Sequence, residues 1–152
     1  MAGFAFDRPI VQFKAYFSDR ANVQAAVNKT ILSKLNYIGG YVRTVVKNSI
    51  RKAKGRHSVS VAGKPPLGHI GLFKKNIFFA IEPERDSVII GPALLNAKGQ
   101  NVPETLEFGG STVIYSHKKR KKVTIKARPY MQPALEHSQN KIAQIWANSI
   151  KK

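Results

Sequence analysis

The sequence predicts an α+β domain. A long N-terminal helix and a C-terminal helix pack on a small antiparallel β-sheet, accompanied by a long Gly/Pro loop and a basic β-hairpin. Three observations carry this class. Apolar residues recur at steps of three and four from Val23 to Ile50, the signature of an amphipathic helix. Two short apolar runs, 77–82 and 87–91, flank the turn Pro83-Glu84-Arg85-Asp86 and read as a hairpin. A second helical stripe follows Pro133, a residue suited to a first helical turn. The 152 residues, 43% apolar, suffice for one domain with one core.

In chain order, residues 1–17 form an arm or edge strand rich in Phe4, Phe6, Phe13, Tyr16 and Phe17, with Pro9 excluding a central strand. Ser18-Asp19 offers an N-cap for a helix over 18–52. Its stripe is Val23, Val27, Ile31, Leu35, Ile38, Val42, Val45, Val46 and Ile50. Gly39-Gly40 inside it costs roughly 1 kcal/mol per glycine against alanine, which points to a kink or a close backbone contact. Residues 53–71, with Gly55, Gly63, Pro65, Pro66, Gly68 and Gly71, read as an extended loop. Residues 72–126 hold the antiparallel sheet, the 77–82/87–91 pair being central because its runs are almost continuously apolar. Residues 93–102 are a loop, and Pro103 to Phe108 a helical turn. Strands 112–116 and 122–126 form a more exposed hairpin with Lys118-Lys119-Arg120-Lys121-Lys122 at its tip. The final helix, 130–150, presents Leu135, Ile142, Ile145, Trp146 and Ile150.

The net charge of +18, from 26 Lys+Arg against 8 Asp+Glu, favours anionic partners: nucleic acid, an acidic protein surface or a membrane face. There are no cysteines, so disulfides and thiolate metal sites are excluded. No stretch approaches the ~20 apolar residues of a membrane span, and the first 17 residues make a poor signal peptide; synthesis in a cytoplasm is expected.

Catalytic chemistry finds little support. His57, His69, His117 and His137 lack metal-ligand spacing. Glu82, Glu84 and Asp86 cluster at a turn and read as solvated residues. No serine stands in a nucleophile elbow, and no Gly-Lys-Ser/Thr follows the glycines of 63–71. No catalytic residue, metal ligand or cofactor is assigned.

The cations say more. Arg43, Lys47 and Arg51 share one helix face, and Lys52, Lys54 and Arg56 extend the run into the loop. No acidic residue lies between Tyr41 and Lys75. Lys118, Lys119, Arg120, Lys121 and Lys122 form the second concentration. Three readings stay open for it: phosphate contact, a solvated tip, or an acidic neighbouring subunit. No sequence-specific recognition motif is present. The aromatic arm reads either as core or as a strap docking on a neighbour's sheet edge.

The order of several segments resembles the tailed-bacteriophage tail-completion proteins, also described as neck, head–tail joining or minor tail components. The segments are Gly40-Tyr41-Val42-Arg43, Ser49-Ile50-Arg51, Gly63-Lys64-Pro65-Pro66, Ile90-Gly91-Pro92, Leu106-Glu107-Phe108-Gly109 and Ala127-Arg128-Pro129-Tyr130-Met131-Gln132-Pro133-Ala134-Leu135. The family's Thr-Gly-x-Leu-x-x-Ser-Ile segment is matched by 70–77 with Ile70, Phe73 and Asn76 replacing Thr, Leu and Ser. The resemblance spans roughly residues 20–150.

It implies a virion protein without enzymatic activity or cofactor, at the neck or tail end, in a homo-oligomeric ring, commonly a hexamer. Its neighbours are connector or neck proteins and tail-terminator or tail-tube proteins, with DNA in the channel; no membrane or small-molecule substrate is implied. Phe4, Phe6, Phe13, Pro65, Pro66, His69 and Leu72 are the candidate inter-subunit contacts. Glu107, Phe108, Arg128, Pro129, Tyr130 and Pro133 form a structural corner that starts the last helix at a fixed angle. The alternative reading is a small basic DNA-binding accessory protein; an enzyme such as a nuclease subunit ranks below both.

Overall fold

Arg20–Ser49 forms one 30-residue helix, α1, in a computed structural model of the chain. The structure describes residues 19–55, 57–69, 71–93, 101–116 and 119–149. The buried positions of α1 are Leu35, Ile38, Gly39, Val42 and Val46, one stripe of the predicted period. Val23 and Val27 continue that stripe yet are 59% and 46% exposed; among the described residues, Trp146 and Ser149 of the far end of the chain line a groove with them. Asp19 occupies the N-cap position without a side-chain capping bond. The helix ends at Ser49, short of the predicted residue 52. Ile50 turns extended and enters the core at 1% exposure. Beyond it, Lys52 bridges to Gly68: the Gly68 N–H donates to the Arg51 carbonyl at 2.9 Å and the Ala53 N–H to the Gly68 carbonyl at 3.1 Å.

The remaining elements are α2 (Leu72–Lys75), β1 (Ile77–Glu82), a 3-10 turn (Pro83–Arg85), β2 (Ser87–Pro92), α3 (Val102–Phe108), β3 (Gly110–Ser116), β4 (Lys119–Ile125) and α4 (Met131–Ala147). The class is α+β. The single predicted sheet is instead two separate antiparallel hairpins, β1–β2 and β3–β4. Among the described residues no strand is therefore central. On β1–β2, Ile77, Phe79, Ile81, Val88 and Ile90 turn inward, whereas Phe78, Ala80 and Ile89 are exposed on the other face.

A two-stranded sheet is marginal alone; here α1 covers its inner face. Gly39 makes that contact possible. A Cβ there would lie 2.5 Å from Phe79 Cδ2 and 2.9 Å from Val88 Cγ2, so side chains from both strands pack directly on the helix backbone. Arg43, one turn on, donates Nε–H to the Ile77 carbonyl at 2.7 Å, and its guanidinium sits 5.9 Å from the Phe78 ring centroid.

α4 runs antiparallel to α1: Met131 lies by Val42, Gln144 by Tyr37 and Trp146 by Val23. Its buried positions are Ala134, Ser138 and Ile145. The predicted stripe is corrected at Leu135, which is 45% exposed, while its neighbour Ala134 faces the core. Small residues let the helices approach. The Ser138 hydroxyl, fully buried, donates to the Ala134 carbonyl at 2.7 Å and so adds no unpaired polar group. Ile38, Val42, Val46, Ile50, Ile77, Tyr130, Ala134 and Ile145 form the core. Each buried Val or Ile contributes about 1.5–3 kcal/mol. Among the described residues, no helix is long and apolar enough to cross a membrane.

The two glycines of α1 should respond oppositely. Gly39→Ala gains helix propensity but forces Phe79 and Val88 back, for a net loss of about 1–2 kcal/mol. At Gly40 a Cβ meets nothing within 4 Å, so Gly40→Ala should add about 0.5–1 kcal/mol. Urea denaturation of the two variants reads both signs.

Candidate functional site

The predicted corner is assembled from three distant segments. α3 begins at Val102, with Pro103 in its first turn, directly after Asn101, whose carbonyl accepts from the Thr105 N–H at 3.0 Å and the Thr105 hydroxyl at 2.8 Å. It ends at Gly109, where φ is +78° and the N–H donates to the Thr105 carbonyl. A Cβ at Gly109 would lie 2.9 Å from the Ala127 nitrogen and 3.1 Å from the Ile125 carbonyl oxygen. Only glycine combines that left-handed backbone with so close an approach.

The approach delivers Glu107 to the start of α4. Glu107 Oε2 accepts from the Tyr130 N–H at 2.9 Å and the Met131 N–H at 3.1 Å; Oε1 accepts from the Gln132 N–H at 2.9 Å. The next residue, Pro133, has no N–H. A helix leaves four N-terminal donors without intrahelical partners. In α4 three are bonded by one carboxylate and the fourth does not exist. Glu107 is 8% exposed, and its charge also faces the positive end of the helix dipole.

The same corner holds the long loop. The Arg128 N–H donates to the Leu106 carbonyl at 2.7 Å, and its side chain donates from Nε to the Ser60 carbonyl at 3.2 Å and from Nη1 to the Lys126 carbonyl at 3.1 Å. The Gly63 N–H donates to the Ala127 carbonyl at 2.8 Å. Tyr130, 1% exposed, packs edge-to-face with Phe73, their ring centroids 5.0 Å apart. Burial, and then the charge of Glu107, raise its phenol above the ordinary tyrosine range. Beside the corner opens a groove of about 650 Å³, lined by Val42, Ile90, Pro103, Glu107, Phe108 and Leu135 among others. Phe108 stands 77% exposed on its rim, and Pro129 is half-buried.

The candidate contact residues separate. Pro66 is buried within its own chain and Pro65 half-buried, whereas His69 and Leu72 are exposed. Phe4, Phe6, Phe13, Arg56, His117 and Lys118 lie outside the described residues. Arg43 is engaged with β1, as above. Lys47 is half-buried, and its pKa is lowered by desolvation, then by Arg43 and Lys74. Arg51, Lys52 and Lys54 are exposed. The run predicted at a hairpin tip begins a strand instead: Lys119 to Lys122 belong to β4, paired with Ser116, Tyr115, Ile114 and Val113. Strand alternation places successive residues on opposite faces, which relieves the crowding a tip would impose. Among the described residues no group of three His, Asp or Glu side chains could hold a metal ion.

Sequence reasoning linked Glu107 to the corner through the family resemblance but did not foresee its capping bonds. A signal exists. Glu107 is the only acidic residue between Glu104 and Glu136, upstream of a helix whose N-cap position holds Tyr130, a residue that cannot cap.

Glu107→Ala should destabilise the fold by about 2–4 kcal/mol, since it strips the acceptor from three N–H groups around a buried turn. A urea midpoint unchanged within error would contradict the capping role. Tyr130→Phe should leave stability near pH 7 almost unchanged. The native state holds the phenol proton more tightly than the unfolded chain, so Tyr130 makes stability fall as pH rises above 10. Removing the hydroxyl should flatten that part of the stability–pH curve. Comparisons of the chain with protein-family models, curated proteins and solved structures gave no match.

Proposed function

We propose that this chain is a structural subunit of a tailed-bacteriophage neck, a tail-completion protein acting as a homo-oligomeric ring around the DNA channel between head and tail. One observation carries the reading. Segments on which the family resemblance rests are bonded to one another: Gly63 to Ala127, Arg128 to Leu106, and Glu107 to Tyr130, Met131 and Gln132. The motif residues are thus the ones that organise this fold, as a shared fold requires.

The surface agrees with a ring. Among the described residues the two hairpins do not pair with each other, and Phe78, Ile89, Phe108 and Leu135 are exposed. In a closed ring each copy can cover strand edges and apolar surface on the next. Flanking rings of connector and tail proteins are the natural neighbours, and the virion the natural location. The second reading, a small basic DNA-binding accessory protein, draws on the exposed cations of β4.

Particles purified from infected cells should contain the chain between head and tail. Ile89→Asp and Phe108→Asp, both at exposed positions, should leave stability within about 0.5 kcal/mol yet stop head–tail joining, seen as separate heads and tails by electron microscopy. Complete particles lacking the chain would overturn the reading. So would a monomer whose tight DNA binding is its only detectable role.

A further inference from the structure

We propose that the β3–β4 hairpin is a nucleic-acid-binding ribbon that contacts duplex phosphates from both of its faces. The proposal deepens the neck reading by naming the surface that would meet DNA in the channel, and it rests on that reading for this placement alone.

The register fixes the faces. Lys122 lies opposite Val113 and Thr124 opposite Ser111, so Arg120, Lys122 and Thr124 share one face with Ser111 and Val113. Their hydroxyls meet there, Ser111 Oγ lying 3.2 Å from Thr124 Oγ1. Lys121, Val123 and Ile125 occupy the other face with Thr112. Near the root, Thr112, Val123 and Ile125 on this face are half-buried, as is Val113 on the other. Farther out, Arg120, Lys121 and Lys122 are all exposed, and cations therefore emerge on both sides. Lys126 adds an exposed cation just beyond the strand.

None of these four cations has an ion-pair partner among the described residues. The acids nearest in sequence are Glu107, occupied at the helix start, and Glu136 on α4. Neighbouring bare cations disfavour one another, and an approaching polyanion reverses the sign of that interaction. Side chains on one face recur every ~6.7 Å along the strand, and a two-stranded ribbon fits the ~12 Å major groove of B-DNA. An acidic protein surface would meet one face of the hairpin. A groove presents phosphates on both sides of it, which is the arrangement that matches cations on two faces. Lysines can also serve merely to prevent edge-to-edge pairing, but that role gives no advantage to hydroxyls and an arginine gathered on one face. The expected binding is to backbone phosphates and independent of base sequence.

The test uses the full chain and a fluorescent 30-base-pair duplex, with anisotropy read across a salt series. Arg120→Ser/Lys121→Ser/Lys122→Ser is compared with Arg51→Ser/Lys52→Ser/Lys54→Ser, which removes the same charge elsewhere. The ribbon variant should bind roughly 100-fold more weakly at 0.1 M salt, with a salt slope shallower by about 2.7, and at least tenfold more weakly than the control variant. Lys121→Ser alone should lower the slope by about 0.9, as the second face requires. Circular dichroism checks that the variants stay folded. A smaller difference between the two triple variants, or a silent Lys121→Ser, overturns the proposal. So does failure of the wild-type chain to bind the duplex, including the case in which it binds polyglutamate instead. Absence of the chain from particles would sink the neck reading and leave these binding results standing.

Discussion

One carboxylate starts the C-terminal helix. Glu107 binds the Tyr130, Met131 and Gln132 N–H groups and thereby fixes where α4 begins and in which direction it leaves. Burying an isolated carboxylate is costly. Here three charge-assisted bonds and a helix dipole oppose that cost, and Pro133 removes the one donor that would remain. The constraint propagates. With α4 so placed, Tyr130 reaches Phe73, and Ala134, Ser138 and Ile145 reach α1. The backbone approach that delivers Glu107 also brings Leu106 to Arg128, whose side chain holds the long loop at Ser60.

Close approach of backbones recurs through the molecule and explains where small residues stand. Gly39 receives Phe79 and Val88, Gly109 receives the chain at Ala127, and Ala134 and Ser138 admit α1. The cations are sorted by chemistry as well. Arg43 and Arg128 each spend a guanidinium on backbone carbonyls, at Ile77 and at Ser60 and Lys126, a task that suits a planar fork of donors. Lys121 and Lys122 of β4 are exposed. The net charge of +18 is therefore spread unevenly, with Arg120, Lys121 and Lys122 exposed together on one hairpin.

What the sequence made legible was local. The three-and-four spacing of α1, the Pro83 turn between β1 and β2, and the proline-led helical segment before Gly109 each follow from residues close together in the chain. What it hid was nonlocal or locally misleading. The capping bonds of Glu107 span 23 to 25 residues, beyond the reach of any pattern in a helical window. The α4 stripe was misplaced because Leu135 outranks Ala134 in hydrophobicity, while the contact with α1 selects for size. Lysine is depleted in strands, so Lys119 to Lys122 read as a turn although pairing with β3 makes them strand. The separation into two hairpins depends on which edges meet, and no local pattern encodes that.

The Glu107 junction and the basic ribbon are physically joined. β4 ends at Ile125, and two residues later the chain reaches Ala127, pressed against Gly109 and bonded to Gly63. β3 begins at Gly110, directly after that same glycine. Both strands of the basic ribbon therefore spring from the junction that Glu107 and Arg128 consolidate. A ribbon seated on a loose base would sweep through many orientations, and its cations would meet a duplex only at the entropic cost of being ordered. Rooted at Gly109 and Ala127, the Arg120–Lys122 face leaves the body at an angle set by the same contacts that set α4. The buried acid and the exposed bases thus belong to one device: the acid fixes the frame, and the frame aims the bases.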